Sequence, residues 1–160
     1  MIEFPPNVEW SLSHMTEILV RYAHFIAILI LAGMLISEHL LLKAEMTAAE
    51  IRCIALVDMV YGISAGVVLA AGLALWLGGI GKPTAFYSAN PVFHAKLGLF
   101  VLIALISFYP TAFFLKQRAR ATAVVAVPRS IVMVVRLELL FLLVLPLLAT
   151  LMARGYGLHG

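Results

Sequence analysis

Cysteine is all but missing from this chain. Cys53 stands alone among 160 residues, which excludes an internal disulfide and a cysteine-rich metal centre. Charge is scarce as well, with Asp, Glu, Lys and Arg making up 12% of the residues against 64% hydrophobic. A soluble domain of this length would leave too much apolar surface in water, so most of the chain needs lipid as its solvent. Bases are missing from the first residues: "MIEFPPNVEW" carries Glu3 and Glu9 but no Lys or Arg. That is the reverse of a signal peptide's basic n-region, and the sequence predicts no cleaved leader. The two-residue alternation of a membrane β-strand is also absent, so a lipid-embedded barrel is not expected.

What is present is apolar length. Four runs, 18–42, 54–77, 92–115 and 131–152, are each long enough for a helix to cross the hydrocarbon core. The expected fold is all-α, a four-helix integral membrane bundle forming one domain over residues 1–160. Local punctuation agrees. Thr47 and Glu50 have capping-box spacing, so the second helix should start with a turn ahead of the lipid. "GGIGKP" at 78–83 should stop that helix. Asn90 and Pro91 read as N-cap and first residue of the third, and Pro128 as the opening of the fourth. Pro110 and Pro146 fall inside spans, where membrane helices tolerate them.

The basic residues set an expected orientation. Lys43, Arg52, Lys116, Arg118, Arg120 and Arg129 all lie in or beside the first and third loops, whereas Lys82 and Arg154 fall on the opposite side. By the positive-inside rule both termini are outside and both basic loops cytoplasmic, as in a multi-pass protein of a bacterial inner membrane. Trp10, Trp76, Tyr87 and Tyr156 then sit at the outer interface as an aromatic belt. The sequence pI of about 9.2 is accounted for by these loops, and no nucleic-acid partner is expected. The loop "KQRARATAVVAVPR" could also meet anionic lipid.

Six formally charged residues fall within the spans, and each costs free energy in hydrocarbon. Arg21 and His24 on the first helix, with His94 and Lys96 on the third, form an outer group made only of bases, suited to an anion with an apolar body. Glu38, His39, Asp58, Arg136 and Glu138 form an inner group in which three carboxylates face one arginine. A shared proton or a cationic His39 would relieve that excess of negative charge, and Tyr61, one turn from Asp58, could donate to it. Arg21, His24, Ala27, Leu31, Met34 and Glu38 recur every three or four residues, so one stripe of the first helix should face inward. Because His94 and Lys96 are two residues apart, they cannot both face one pocket. Gly62, Gly66, Ala70 and Ala74 form a ridge for close helix contact, most simply packing within the bundle.

With "RYAHF", Glu38, "DMVYG", "FYSANPVFHAKL" and "RLELL" in view, the chain resembles a family of bacterial predicted membrane proteins, domain of unknown function 2214. That resemblance implies the four-helix topology and no agreed activity. A weaker, partial resemblance links "HFIAILILAGML" and "HAKL" to the small membrane protoporphyrinogen oxidases that carry a b-type haem. It implies roles in activity or haem ligation for His24 and Lys96.

Three functions compete. The first is haem b or other tetrapyrrole binding in a redox role, with His24 as the metal ligand, His94 as a second, and Arg21 or Lys96 on the propionates. There Glu38, Asp58, Arg136 and Glu138 would handle protons. The second is a non-catalytic subunit or assembly factor in a larger membrane complex, its in-span charges fixing helix register. The third is a small proton-coupled transporter completed by homodimerisation. The expected order is haem, accessory subunit, transporter.

Overall fold

The computed structural model describes residues 6–80, 82–120 and 124–157, with the side chains of residues 6–11 and 13 excepted. The chain runs α1 (Pro6–Leu41), β1 (Glu45–Met46), α2 (Ala48–Leu77), α3 (Thr84–Ser88), α4 (Pro91–Arg120), β2 (Val125–Ala126) and α5 (Arg129–Ala153). Four of these helices carry stretches long and apolar enough to span a membrane: His14–Leu41, Ala48–Leu77, Pro91–Arg120 and Arg129–Ala153. The molecule is an all-α membrane bundle. Much of its outer surface is Leu, Ile, Val and Phe, including Leu29, Phe108 and Leu143, which suits hydrocarbon as the surrounding solvent.

Sequence punctuation governs the helix ends. The Thr47 hydroxyl accepts from the Glu50 amide at 3.3 Å, and the Glu50 carboxylate accepts from the Thr47 amide at 2.7 Å, completing a capping box at the start of α2. Lys43 pairs with the same carboxylate at 2.6 Å. Gly78 closes α2, its amide donating to the Ala74 carbonyl at 3.0 Å, and Gly79 then turns the chain with a φ of 60°. Asn90 accepts from the Val92 amide at 2.9 Å ahead of α4, and Pro128 precedes α5. Pro110 and Pro146 lie inside α4 and α5.

Helix α1 packs chiefly on α2, and α4 on α5, with α2 against α4 joining the two pairs. The loops after α1 and α4 meet at one end of the bundle, where β1 and β2 pair antiparallel, Met46 opposite Val125. We call this the basic end, since Lys43, Arg52, Lys116, Arg118, Arg120 and Arg129 gather there. The opposite, terminal end holds the 78–90 connection and Tyr156. There Trp76 donates to Ser88 at 3.0 Å and packs edge-on against Phe93, which also meets Tyr87. The side chain of Trp10, expected in the same belt, lies outside the described residues.

The sequence did not announce four features. The backbone of α1 begins at Pro6, well before the apolar run at 18, and α4 continues to Arg120, beyond the run ending at 115. A short helix, α3, occupies the connection expected to be a loop, and the two basic loops are paired as strands.

Candidate functional site

Three carboxylates lie deep in the bundle. Glu38 of α1 is 1% exposed, Asp58 of α2 2%, and Glu138 of α5 1%. Asp58 and Glu138 are close enough to Glu38 for both charges to act on it. The inward stripe of α1 delivers Glu38: Ala27, Leu31 and Glu38 are all buried, and Leu35 beside them is fully so. Tyr61, 3% exposed, donates its hydroxyl to Glu138 Oε2 at 3.1 Å. Its partner is thus the acid on α5, diagonally across the bundle, where sequence spacing pointed to Asp58. Thr111 of α4 donates to Asp58 Oδ1 at 2.8 Å. All four membrane helices therefore contribute a polar side chain to one layer.

The layer is short of donors. Glu38 Oε1, Asp58 Oδ2 and Glu138 Oε1 are each buried without a hydrogen-bond partner. It is also short of cations. Among the described residues the side-chain ion pairs are Arg21 with Glu17 and Lys43 with Glu50, and neither touches the cluster. Arg136, expected to balance the acids, is exposed on the outside of α5. The reason is geometric: residues two apart on a helix point about 200° from one another, so burying Glu138 turns Arg136 outward. His39 is half-buried, with its Nδ1 unpartnered. Several kcal/mol per ion is the rough cost of burying charge. Three ionised carboxylates this close would repel one another as well as bear that burial cost.

The outer group is less gathered than its spacing suggests. Nδ1 of His24 lies 3.0 Å from the Val68 carbonyl. Since a carbonyl only accepts, this nitrogen carries the proton and Nε2 of the neutral ring keeps its lone pair. Gly72 makes the contact possible, because a Cβ there would sit 3.3 Å from the His24 ring. Half-buried Lys96 is near enough for its charge to act on His24. Arg21, by contrast, pairs with Glu17 one turn away at 2.8 Å. His94 is exposed and donates from Nε2 to the Ser88 carbonyl at 2.9 Å, tying α4 to α3. The structure thus brings His24 and Lys96 together and leaves Arg21 and His94 engaged elsewhere.

His24 and Lys96 lie apart from the cavity between the helices, which none of the outer group lines. The cavity between the four helices, lined by Leu31, Tyr61, Ala65, Phe100, Ile103, Ala104, Leu142 and Leu145, measures about 10 Å³, whereas cofactor sites run to roughly 300–1,000 Å³. Among the described residues, no three His, Cys, Asp or Glu side chains converge closely enough to hold a metal ion. Thr111 escaped the sequence reading because a threonine in an apolar helix carries no signal of its own. Only its one-layer match to Asp58 reveals it.

The chain belongs to the family described as "Predicted membrane protein (DUF2214)", whose profile matches residues 16–157. The match takes in all four membrane helices and every member of the carboxylate layer. No curated protein and no solved structure matches the chain.

Proposed function

We propose that this multi-pass membrane protein is a small proton-coupled carrier in which Glu38, Asp58 and Glu138 bind and release the coupling protons. One observation carries the reading: three acids from three helices are buried together with no countercharge among the described residues. Ionisable groups at such depth are costly and are characteristic of proton relays and transport pathways. A binding layer made by all four helices also senses any change in their packing, as coupling to a moving solute requires. Four spans are few for a pathway, so a second copy belongs to this reading. Gly62 and Gly66 are exposed with open space beside them, which leaves their ridge available to that copy. The bacterial inner membrane is the compartment proposed from the basic loops.

The test is an infrared pH titration of the protein in lipid, beside Glu38→Gln, Asp58→Asn and Glu138→Gln. Surface acids are ionised at neutral pH, so a carboxylic-acid carbonyl band there reports buried groups. We expect such a band in the wild type and a weaker one in each variant. Its absence in the wild type would sink the reading.

A second reading keeps a tetrapyrrole at His24, favoured by the free Nε2 of a ring held by the Val68 carbonyl, an arrangement that orients histidine ligands. With about 10 Å³ between the helices, the group would have to lie on the outer face or between copies. Visible spectra of oxidised and reduced protein, with His24→Ala as control, test it: a colourless wild type after hemin addition ends it. An accessory role through register-fixing ion pairs draws no support from Arg136, which faces away from Asp58 and Glu138.

A further inference from the structure

Donors are unevenly shared across the carboxylate layer. Tyr61 donates to Glu138 Oε2 at 3.1 Å and Thr111 to Asp58 Oδ1 at 2.8 Å, while Glu38 receives nothing. The serines within two turns of these residues along α1, α2 and α4 are committed to their own helices. Ser37, just before Glu38, donates to the Gly33 carbonyl at 2.7 Å, Ser64 to the Val60 carbonyl at 2.8 Å, and Ser107 to the Ala104 carbonyl at 2.8 Å. Leu35 and Leu42, one turn to either side of Glu38, belong to the apolar packing. No hydroxyl is left over for it among the described residues.

Charge is uneven in the same sense. Both other acids act on Glu38, Asp58 from α2 and Glu138 from α5. Tyr61 of α2 also faces the layer, and α4 contributes only the Thr111 hydroxyl. On α1 itself His39 follows Glu38, about 100° around the helix, with Nδ1 unpartnered. Arg136 of α5 is turned outward.

A carboxylate that accepts a hydrogen bond is favoured in its charged form, whereas one left without donors in a dry site is favoured as the neutral acid. A protonated carboxyl is itself a donor. One proton on Glu38 therefore gives the layer the hydroxyl it lacks, where Asp58 Oδ2 and Glu138 Oε1 stand without partners.

We infer that Glu38 holds the first proton of the layer, taking it up before Asp58 and Glu138 and giving it up after them. Tyr61 and Thr111 are positioning residues that favour the ionised forms of the other two acids. This rests on the proton-binding reading above. In a carrier it makes Glu38 the standing donor, and Asp58 and Glu138 the acids that empty first.

The experiment is the infrared titration of the full chain in lipid, carried to the alkaline end where the last of the carboxylic-acid band survives. Glu38→Gln is expected to lose that remnant while keeping a band at lower pH. Tyr61→Phe and Thr111→Val are expected to enlarge the band at neutral pH, as Glu138 and Asp58 take protons in place of the lost hydrogen bonds. A hydroxyl that only packs would leave the band unchanged. A remnant that persists in Glu38→Gln, or a band that fails to grow in Tyr61→Phe or in Thr111→Val, overturns the order of the acids while the wild-type band upholds proton binding. A wild type without the band overturns both. Should Glu38→Gln fail to fold, Tyr61→Phe, which adds no atom, decides the matter.

Discussion

Glu38 has the least company of the three buried acids, with no hydrogen bond to its side chain and Oε1 sealed from solvent. An unsatisfied buried polar group lowers stability, and an apolar replacement of similar shape removes that cost. Glu38→Met is therefore expected to raise stability by about 1–3 kcal/mol while losing its share of the carboxylic-acid band. Thermal unfolding in detergent, followed by circular dichroism, checks the first half. Thr111→Val should act in the opposite sense, removing the 2.8 Å bond to Asp58 and costing about 1–3 kcal/mol as a second acid oxygen is orphaned. At Gly72 the prediction is steric. Leucine cannot share the space of the His24 ring, so Gly72→Leu should break the Val68 bond and cost roughly 1–3 kcal/mol, read as a lowered unfolding midpoint.

The acids were legible because a charge in an apolar run has no bland explanation, and their depths along the chain placed them in one layer. Arg136 was not. The spacing that separates His94 from Lys96 separates Arg136 from Glu138 too, and a helix that buries one must expose the other. Tyr61 illustrates the other limit. Its distance along the helix identifies Asp58 as a neighbour, but only the placement of α5 shows that Glu138 accepts its hydrogen bond.

At the scale of elements, helix ends were the most readable feature, since caps are local chemistry. Thr47→Ala removes the hydroxyl that accepts from the Glu50 amide, at an expected cost of about 1 kcal/mol. Chemical denaturation at constant detergent measures it, and Thr47→Ser should recover most of the loss. The two-residue strands were illegible for the converse reason. Nothing in "EM" or "VA" has strand character on its own, and the pairing exists because two helix pairs bring their loops together. Gly157 makes the same point: with φ at 89° it lies where a Cβ would stand 2.8 Å from Asn90 Oδ1, a contact between distant segments that local sequence does not disclose.

For the whole molecule, four apolar runs sufficed to fix the class, because a backbone in hydrocarbon has few ways to satisfy its own hydrogen bonds. Which faces turn inward needed the structure. The Gly62–Gly66 ridge, expected to pack within the bundle, has nothing within 4 Å of either position where a side chain would begin. Gly62→Leu and Gly66→Leu should accordingly leave the unfolding midpoint of the monomer nearly unchanged, within about 0.5 kcal/mol. Under the carrier reading the same variants abolish a dimer, which cross-linking in native membranes would show.

The β1–β2 pairing has a consequence for how the protein is made. Met46 and its partner Val125 are 79 positions apart in the chain, so the first strand waits for the second while two further membrane helices, α2 and α4, are synthesised. Until then Met46 lacks its cover, and Glu38 and Asp58 lack Glu138, which follows on α5. The loop carrying β2 thus completes the cover over Met46 and α5 after it completes the polar layer, so a chain stalled before β2 is an exposed substrate for membrane proteases.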